Sequence, residues 1–474
     1  MGRKDGRRWK PYHTTWSWLF LAWMMLYIDR SVTGPVVAWM IENRIDIIGE
    51  TSMPHALGGL IGGMFFAGYM LTQFPAGYLG DRYGRKAMLV LSTLLASVAT
   101  LLTALTRTLN TFVAARIFTG LVEGAYYSND RALIAAVTPE RKKGLAMGVI
   151  FSGLAIGLTV ATLTTPYLLD WAAPWLGQEA WTFPFLLFSV PTALVAFGVW
   201  RFVKPPAGER QRMGAAGLRL LLYSAAFLGV LITVFIGVEG SGLSELFQVA
   251  AVAVTAAALV ALIYLLLGRK SAAVLRDRNL LLMYVSAVPI LYALWFFGFW
   301  ALLVVSESAS IGLDGAALYA AFFGAANGLG YPLGGYITDR CSFANGARKR
   351  AYVVLCIAVA ALVLLLGAYI GTGGTDYAVI GALIFAVGLP FSAMQTVHMT
   401  LTSDLAPPES MGQAFGMWNL VAEFGALLSP VVAGVLRDMT GSWVLPIVVT
   451  GGLLAVSALL VLMVRTRMRA EVPI

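Results

Sequence analysis

Fourteen apolar stretches fill most of this 474-residue chain, at about 15–40, 55–79, 87–106, 111–137, 145–168, 181–203, 219–238, 244–267, 279–305, 313–337, 351–371, 376–403, 412–436 and 442–464. A helix needs roughly 20 mostly apolar residues to cross a bilayer. Hydrocarbon offers no water to satisfy backbone N–H and C=O groups, so such stretches can only be helices. An all-α polytopic membrane protein is therefore predicted. A soluble chain of this size could not cover the apolar surface that a 59% hydrophobic composition brings. The first stretch has no small-residue cleavage site and is too long for a signal peptide, so it reads as a span.

A net charge of +9 could suggest nucleic acid, but its distribution points to a membrane. With both termini placed in the cytoplasm, 27 of the 33 Lys and Arg fall in the termini and in the loops on that side. This is the positive-inside pattern. It predicts a cell-membrane protein with both termini cytoplasmic and basic loops facing anionic headgroups, and it leaves no role for nucleic acid. Cys341 and Cys356 suggest neither a disulfide nor a metal site, and His13, His55 and His398 are too scattered for zinc. No cofactor is expected.

The chain repeats itself. "GYLGDRYGRK" at 77–86 returns as "GYITDR" at 335–340 followed by "ARKR" at 347–350, an offset of 258. "PERKKG" at 139–144 matches "PPESMG" at 407–412, and at that offset Gly148 meets Gly416, Gly157 meets Gly425 and Asp170 meets Asp438. Six spans need only about 200 residues, so the surplus fits two extra helices between the repeats. The predicted organisation is a six-helix bundle over 1–203, a linker with two inserted helices over 204–278, and a second six-helix bundle over 279–474. The inserted pair carries no charge within its apolar stretches, with Glu239 and Glu245 at the turn, and reads as a lipid-facing brace.

These repeats, and above all the stretch 77–86, resemble the major facilitator superfamily over almost the whole chain. The resemblance implies the major facilitator fold and alternating access, with a substrate site between the halves. It gives Gly77, Asp81, Arg82, Gly84 and Arg85 a conformational role, latching one state without touching substrate. The glycines also allow a tight turn, and Asp81 can face positive charge or a helix N-terminus.

Four charges lie deep in the first half: Asp29 and Arg30 in span 1, and Arg116 and Glu123 in span 4. Arg116, Gly120, Glu123, Tyr127 and Asp130 are spaced 4, 3, 4 and 3, one face of a helix. Gly120 leaves room for a ligand or another helix. A charge at that depth costs at least ~2.5 kcal/mol on insertion scales. The four can form a network that only ties spans 1 and 4 together, or a proton-coupled anion site. In the second case arginine holds a carboxylate with its planar fork, while the acids titrate. An Asp-Arg pair in span 1 with Arg-x6-Glu in span 4 resembles the anion:cation symporter branch of the superfamily. That resemblance implies Asp29 and Glu123 as proton sites and Arg30 and Arg116 as substrate residues. The proline that usually follows the branch's glutamate is absent from "EGAYYSND", and the branch usually has twelve spans.

The second half lacks matching charges and is expected to shape the pocket. Candidates there are Trp295, Trp300, Tyr319, Asn327, Gln395, Asn419 and Glu423, with Tyr127 from the first half; Glu423 is also a candidate second titrating site, and His398 reads as a packing residue. Glu307 and Asp314, near the outer ends of their spans, are expected to be solvated. Asp130 and Arg131 form an internal pair or a gate. The expected function is proton-coupled symport of an organic anion by a monomer in the lipid bilayer. The alternative is a drug:proton antiporter, a group in which fourteen spans are common. Its usual Gly-Pro motif is missing from span 5, which has Gly153 and Gly157 instead. No nucleophile–base pair or metal motif points to an enzyme.

Overall fold

The structure is a computed structural model and describes residues 9–49, 51–139, 142–206, 208–240, 245–267, 272–343, 345–407 and 410–465. Among them there are helices and connections but no strand. The helices are α1 (Pro11–Glu42), α2 (Pro54–Tyr83), α3 (Arg85–Ala104), α4 (Leu109–Val137), α5 (Lys143–Leu176), α6 (Phe183–Phe202), α7 (Met213–Glu239), α8 (Glu245–Leu267), α9 (Ala272–Arg276), α10 (Arg278–Ala309), α11 (Leu313–Arg340), α12 (Ala347–Gly371), α13 (Tyr377–Leu405), α14 (Met411–Thr440) and α15 (Val444–Leu462). All but the five-residue α9 match the fourteen predicted spans. α5 extends well past the predicted end at 168 and runs through Pro166 and Pro174. The side chains of Glu239 and Glu245 lie outside the described residues.

Nine stretches are apolar and long enough to cross a membrane by composition alone, among the described residues. α8 gives only a shorter apolar stretch, Ala250–Leu262, and α1, α4 and α11 fall short of that test. Polar and ionisable side chains dilute the apolar character of these three, and two of them carry the four buried charges.

α2 packs on α4, α1 on α5 and α3 on α6. The same three pairings return as α11 on α13, α10 on α14 and α12 on α15. Small residues make these crossings tight. A Cβ on Gly120 would meet the carbonyl of Phe65, and one on Gly124 the carbonyl of Tyr69. In the other set a Cβ on Gly334 would stand 2.7 Å from the Ala393 carbonyl. The room at Gly120 is thus taken by the α2 backbone, not by a ligand, as close helix packing in membranes favours. The two sets meet chiefly through α2 on α14 and α5 on α11. α7 packs on α2, α3 and α4, while α8 reaches both α2 and α14. The inserted pair therefore runs along the flank where the two sets meet.

An even number of traversals brings Pro11 and Leu462 to one face of the bundle, the terminal side; the opposite face is the far side. On the terminal side α2 and α3 are separated by Gly84 alone, at φ 109° and ψ 125°. That region is essentially closed to residues with a Cβ. The linker before α7 closes over this break. The N–H of Arg85 donates to the Glu209 carboxylate, and the N–H of Ala87 donates to Gln211 Oε1 at 2.8 Å. Two of the unpaired donors at the start of α3 are satisfied in this way. Asp81 instead bonds Arg85 one turn on, at 2.9 Å. A Cβ on Gly84 would also stand 2.5 Å from Gln211 Oε1. Gly84→Ala is expected to destabilise the protein by about 1–3 kcal/mol, which thermal unfolding in detergent against wild type will show.

Candidate functional site

Trp23, Tyr27 and Arg30 are spaced 4 and 3 along α1 and so share one face. That face borders a central cavity between the two helix sets. The cavity encloses about 450 Å³ of empty space, some of it open to solvent. Tyr69 of α2, Tyr127 of α4 and Phe151 of α5 complete the first wall. Trp295 of α10, Gln395 of α13, and Trp418, Asn419 and Glu423 of α14 form the other. All of them occupy the middle or the terminal-side half of their helices.

Arg30 is the guanidinium that lines this cavity. Its Nε donates to Glu123 Oε2 at 2.7 Å. Four aromatic rings surround its Cζ: Tyr69 at 4.3 Å, Tyr27 at 4.9 Å, Phe65 at 5.3 Å and Trp23 at 5.5 Å from the ring centroids. Ring faces attract a cation and strip its water. Nη2 of Arg30 has no protein partner. Asp29, the next residue, turns away from the cavity. It accepts from the Thr100 hydroxyl of α3 at 2.7 Å and lies 3.6 Å from Nη1 of Arg116. Neighbours on a helix point about 100° apart, so two adjacent charges reach different partners. The pairing is crossed: Arg30 with Glu123, Asp29 with Arg116. Phe65 stands between the two guanidinium groups, 5.2 Å from that of Arg116. All four side chains are buried, and their charges sum to zero.

Arg116 does not line the cavity, and neither do Asp29 and Glu123. Glu123 borders it only through Arg30. Asn327 does not line it either; it is fully buried with both side-chain polar atoms unpartnered. Tyr127, Trp295, Gln395 and Asn419 do line it. Trp295 stacks with Tyr27 across the two sets at 6.0 Å. Gln395 accepts from the Tyr331 hydroxyl at 2.9 Å, and Asn419 donates to Gln73 Oε1 of α2 at 2.9 Å. His398 is held between the Ser286 hydroxyl at 2.8 Å and the Trp418 indole N–H at 3.0 Å, a satisfied packing residue.

Below the cavity, toward the terminal side, the Trp23 indole donates to Asp130 Oδ2 at 2.5 Å. Arg131 lies 3.6 Å from the other oxygen of Asp130 and covers the rings of Phe151, Tyr127 and Trp23. This pair is therefore linked to the cavity wall through Trp23. Gly77 packs loosely on Ser128, and Arg82 lies over Tyr83.

On the far side the two sets are locked together. His55 of α2 places Nδ1 2.6 Å from Asp438 of α14 and Nε2 2.8 Å from Glu307 of α10. Arg437 and the Trp443 indole also bond Glu307, at 2.7 and 2.9 Å. Glu307 is thus not simply solvated, as its place near a span end suggests; it is the hub of a polar cluster. Asp314 is exposed as expected. Trp300 belongs to this seal as well, its indole donating to the Pro430 carbonyl at 2.8 Å. Tyr319 packs on Gly381 and Tyr377 away from the cavity. Among the described residues no cluster of His, Cys, Asp and Glu could hold a metal ion.

The sequence model of the Major Facilitator Superfamily matches residues 19–319 and 299–473. The chain belongs to the major facilitator superfamily. Within this superfamily it is similar to a probable sulfoacetate transporter of Cupriavidus necator, at 25% identity over 98% of this chain and 97% of that one. It is also similar to a D-galactonate transporter of Escherichia coli, at 22% identity over 92% and 91%. A solved structure of a POT family transporter with a thioalcohol-conjugated peptide has the same fold, with a TM-score of 0.71 at 13% identity over 96% of this chain and 98% of that one. The protein is a multi-pass membrane transporter, not an enzyme, and its cavity lies between the two helix sets.

Trp23, Tyr27, Tyr69 and Phe151 were not singled out by the sequence reading of this major facilitator protein. The 23, 27, 30 spacing was a usable signal for the first two. Tyr69 and Phe151 sit in apolar runs that do not distinguish lining from packing.

Proposed function

We propose that the protein is a proton-coupled symporter of a small organic anion, working as a monomer in the cell membrane with both termini cytoplasmic. The observation that carries this reading is Arg30, buried, hydrogen-bonded to Glu123 through Nε, with its side chain lining the cavity and its Nη2 without a protein partner. The names of the relatives, sulfoacetate and D-galactonate transporters, support an anionic solute.

The coupling follows from competition for one guanidinium. An arriving carboxylate or sulfonate takes the free edge of Arg30 and draws it from Glu123. Glu123 is then a buried acid without a full counter-charge, a costly state that a proton relieves. Anion and proton therefore enter together. Asp29, held by Arg116 and Thr100, is the second proton site, and Arg116 serves the anion indirectly by holding it. With the terminal side cytoplasmic, the structure is closed to the outside and its cavity lies on the cytoplasmic half of the path. Gly77, Asp81, Arg82, Gly84 and Arg85, with Asp130 and Arg131, form the terminal-side elements that rearrange when the protein opens outward. Tyr127, Trp295, Gln395 and Asn419 contact the solute, and Asn327 stands behind the wall.

The test is uptake of labelled D-galactonate and sulfoacetate into proteoliposomes with an alkaline interior. Wild type is expected to accumulate at least one of them, and Asp29→Asn and Glu123→Gln only to equilibrate it. Accumulation by both variants against the gradient would overturn the coupling.

A further inference from the structure

The cavity is lined by two groups of unlike charge type. Besides Arg30, Glu423 of α14 lines the same space. Glu423 is buried, and among the described residues it has no ion-pair partner. Its Oε1 takes a long bond of 3.4 Å from Asn419 Nδ2, and its Oε2 has no partner at all. The Asn419 amide cannot do more, because it also donates to Gln73 Oε1. Nε2 of Gln73 is left unpartnered beside them. A buried acceptor without a donor is costly, so this part of the cavity is built for something that the solute brings.

The polarity of the two groups limits the solute. The Arg30 guanidinium offers donors with positive charge, and Glu423 offers an acceptor that is negative when ionised, with its Oε2 unpartnered. A solute anion on Arg30 meets its complement. A second anion at Glu423 would meet a like charge in a site with little water, where such repulsion is strong. Hydroxyl or ammonium groups there would instead satisfy Glu423. The aromatic lining residues Tyr27, Trp295 and Trp418 suit the C–H face of a carbon chain.

We infer that Glu423 sets the substrate class: a monoanion carrying hydroxyl or amino donors at the end away from its acid group, with dianions excluded. This rests on the anion reading of Arg30 and adds a residue from the second half to it. It also separates this protein from a carrier of a doubly charged acid, although two relatives are named for such acids, sulfoacetate and cis,cis-muconate.

Equilibrium binding to the purified full-length protein tests it without any gradient, using three six-carbon acids: D-galactonate, D-galactarate and hexanoate. The first has one carboxylate and hydroxyls, the second adds a carboxylate at the far carbon, and the third lacks hydroxyls. Wild type is expected to bind galactonate at least tenfold more tightly than either of the others. Glu423→Gln removes the charge but keeps a carbonyl acceptor, and is expected to raise the affinity for galactarate relative to galactonate by tenfold or more. Glu423→Ala is expected to weaken galactonate while leaving hexanoate little changed. Equal affinity of wild type for galactarate and galactonate overturns the inference. So does an unchanged ratio in Glu423→Gln, including the case where that variant only abolishes accumulation, as a bare proton carrier would. Uptake without proton flux would sink the symport reading and leave the binding ratios, and thus this inference, standing.

Discussion

Arg30→Gln is expected to abolish anion binding and uptake. Arg30 is the cationic group lining the cavity, and its fork serves Glu123 and the solute together. A charge-assisted bond to a buried anion, with the surrounding rings excluding water, contributes about 3 kcal/mol. Its loss lowers affinity by about a hundredfold or more. The variant has a second effect, because it leaves Glu123 buried and unpaired, at a cost of about 3–5 kcal/mol. Loss of fold could then be mistaken for loss of function. The double variant Arg30→Gln/Glu123→Gln removes both charges of that pair and keeps the other pair, Asp29 with Arg116, intact. It is expected to unfold near the wild-type temperature and still to bind no anion. Arg30→Lys keeps the charge but presents one ammonium where two partners compete, so weakened binding is expected rather than none. Recovery of wild-type affinity in the double variant would show that Arg30 is structural.

The second large effect is conformational. The far side is shut where α2 reaches the second helix set, at His55 and Gly59. His55 can donate to Asp438 and Glu307 at once only with both ring nitrogens protonated. Beside it, a Cβ on Gly59 would meet the Pro430 carbonyl of α14, backbone that cannot swing aside. Gly59→Ala therefore needs the two sets to separate on that side, while each keeps its own core. His55→Ala removes charge-assisted bonds worth about 1.5–3 kcal/mol, which corresponds to a shift of roughly tenfold to a hundredfold in the balance of open and closed states. Both variants are expected to lengthen the distance between spin labels on the far-side ends of α2 and α14, measured by pulsed electron resonance. Unchanged distances in both would mean that this seal does not hold the closed state.

The legible part of the site was the part written in charge. Four ionisable residues in apolar runs stand out because lipid makes them costly, and their helical spacing already put Arg116, Glu123 and Tyr127 on one face. The pocket residues of the second half were harder. Trp295, Gln395 and Asn419 line the cavity while Trp300, Tyr319 and Asn327 do not, although all six share the same kind of setting in the chain. Glu307 shows the same limit: its position near a helix end suggested water, and its neighbours turned out to be His55, Arg437 and Trp443.

Taken alone, the sequence was enough for the all-helical class with its fourteen long helices, the superfamily, and the four ionisable residues set in apolar runs. Those features depend on composition, on spacing along one helix, or on likeness between distant stretches, all of which are one-dimensional. Tertiary structure alone decided that Arg30 takes Glu123 and Asp29 takes Arg116, that Glu423 lines the same cavity as Arg30, and that His55 joins α2 to the second helix set on the far side. Helical periodicity tells which face of its own helix a side chain occupies. Which other helix meets that face depends on how small residues let backbones approach across the bundle, and that is set by packing between segments tens to hundreds of residues apart.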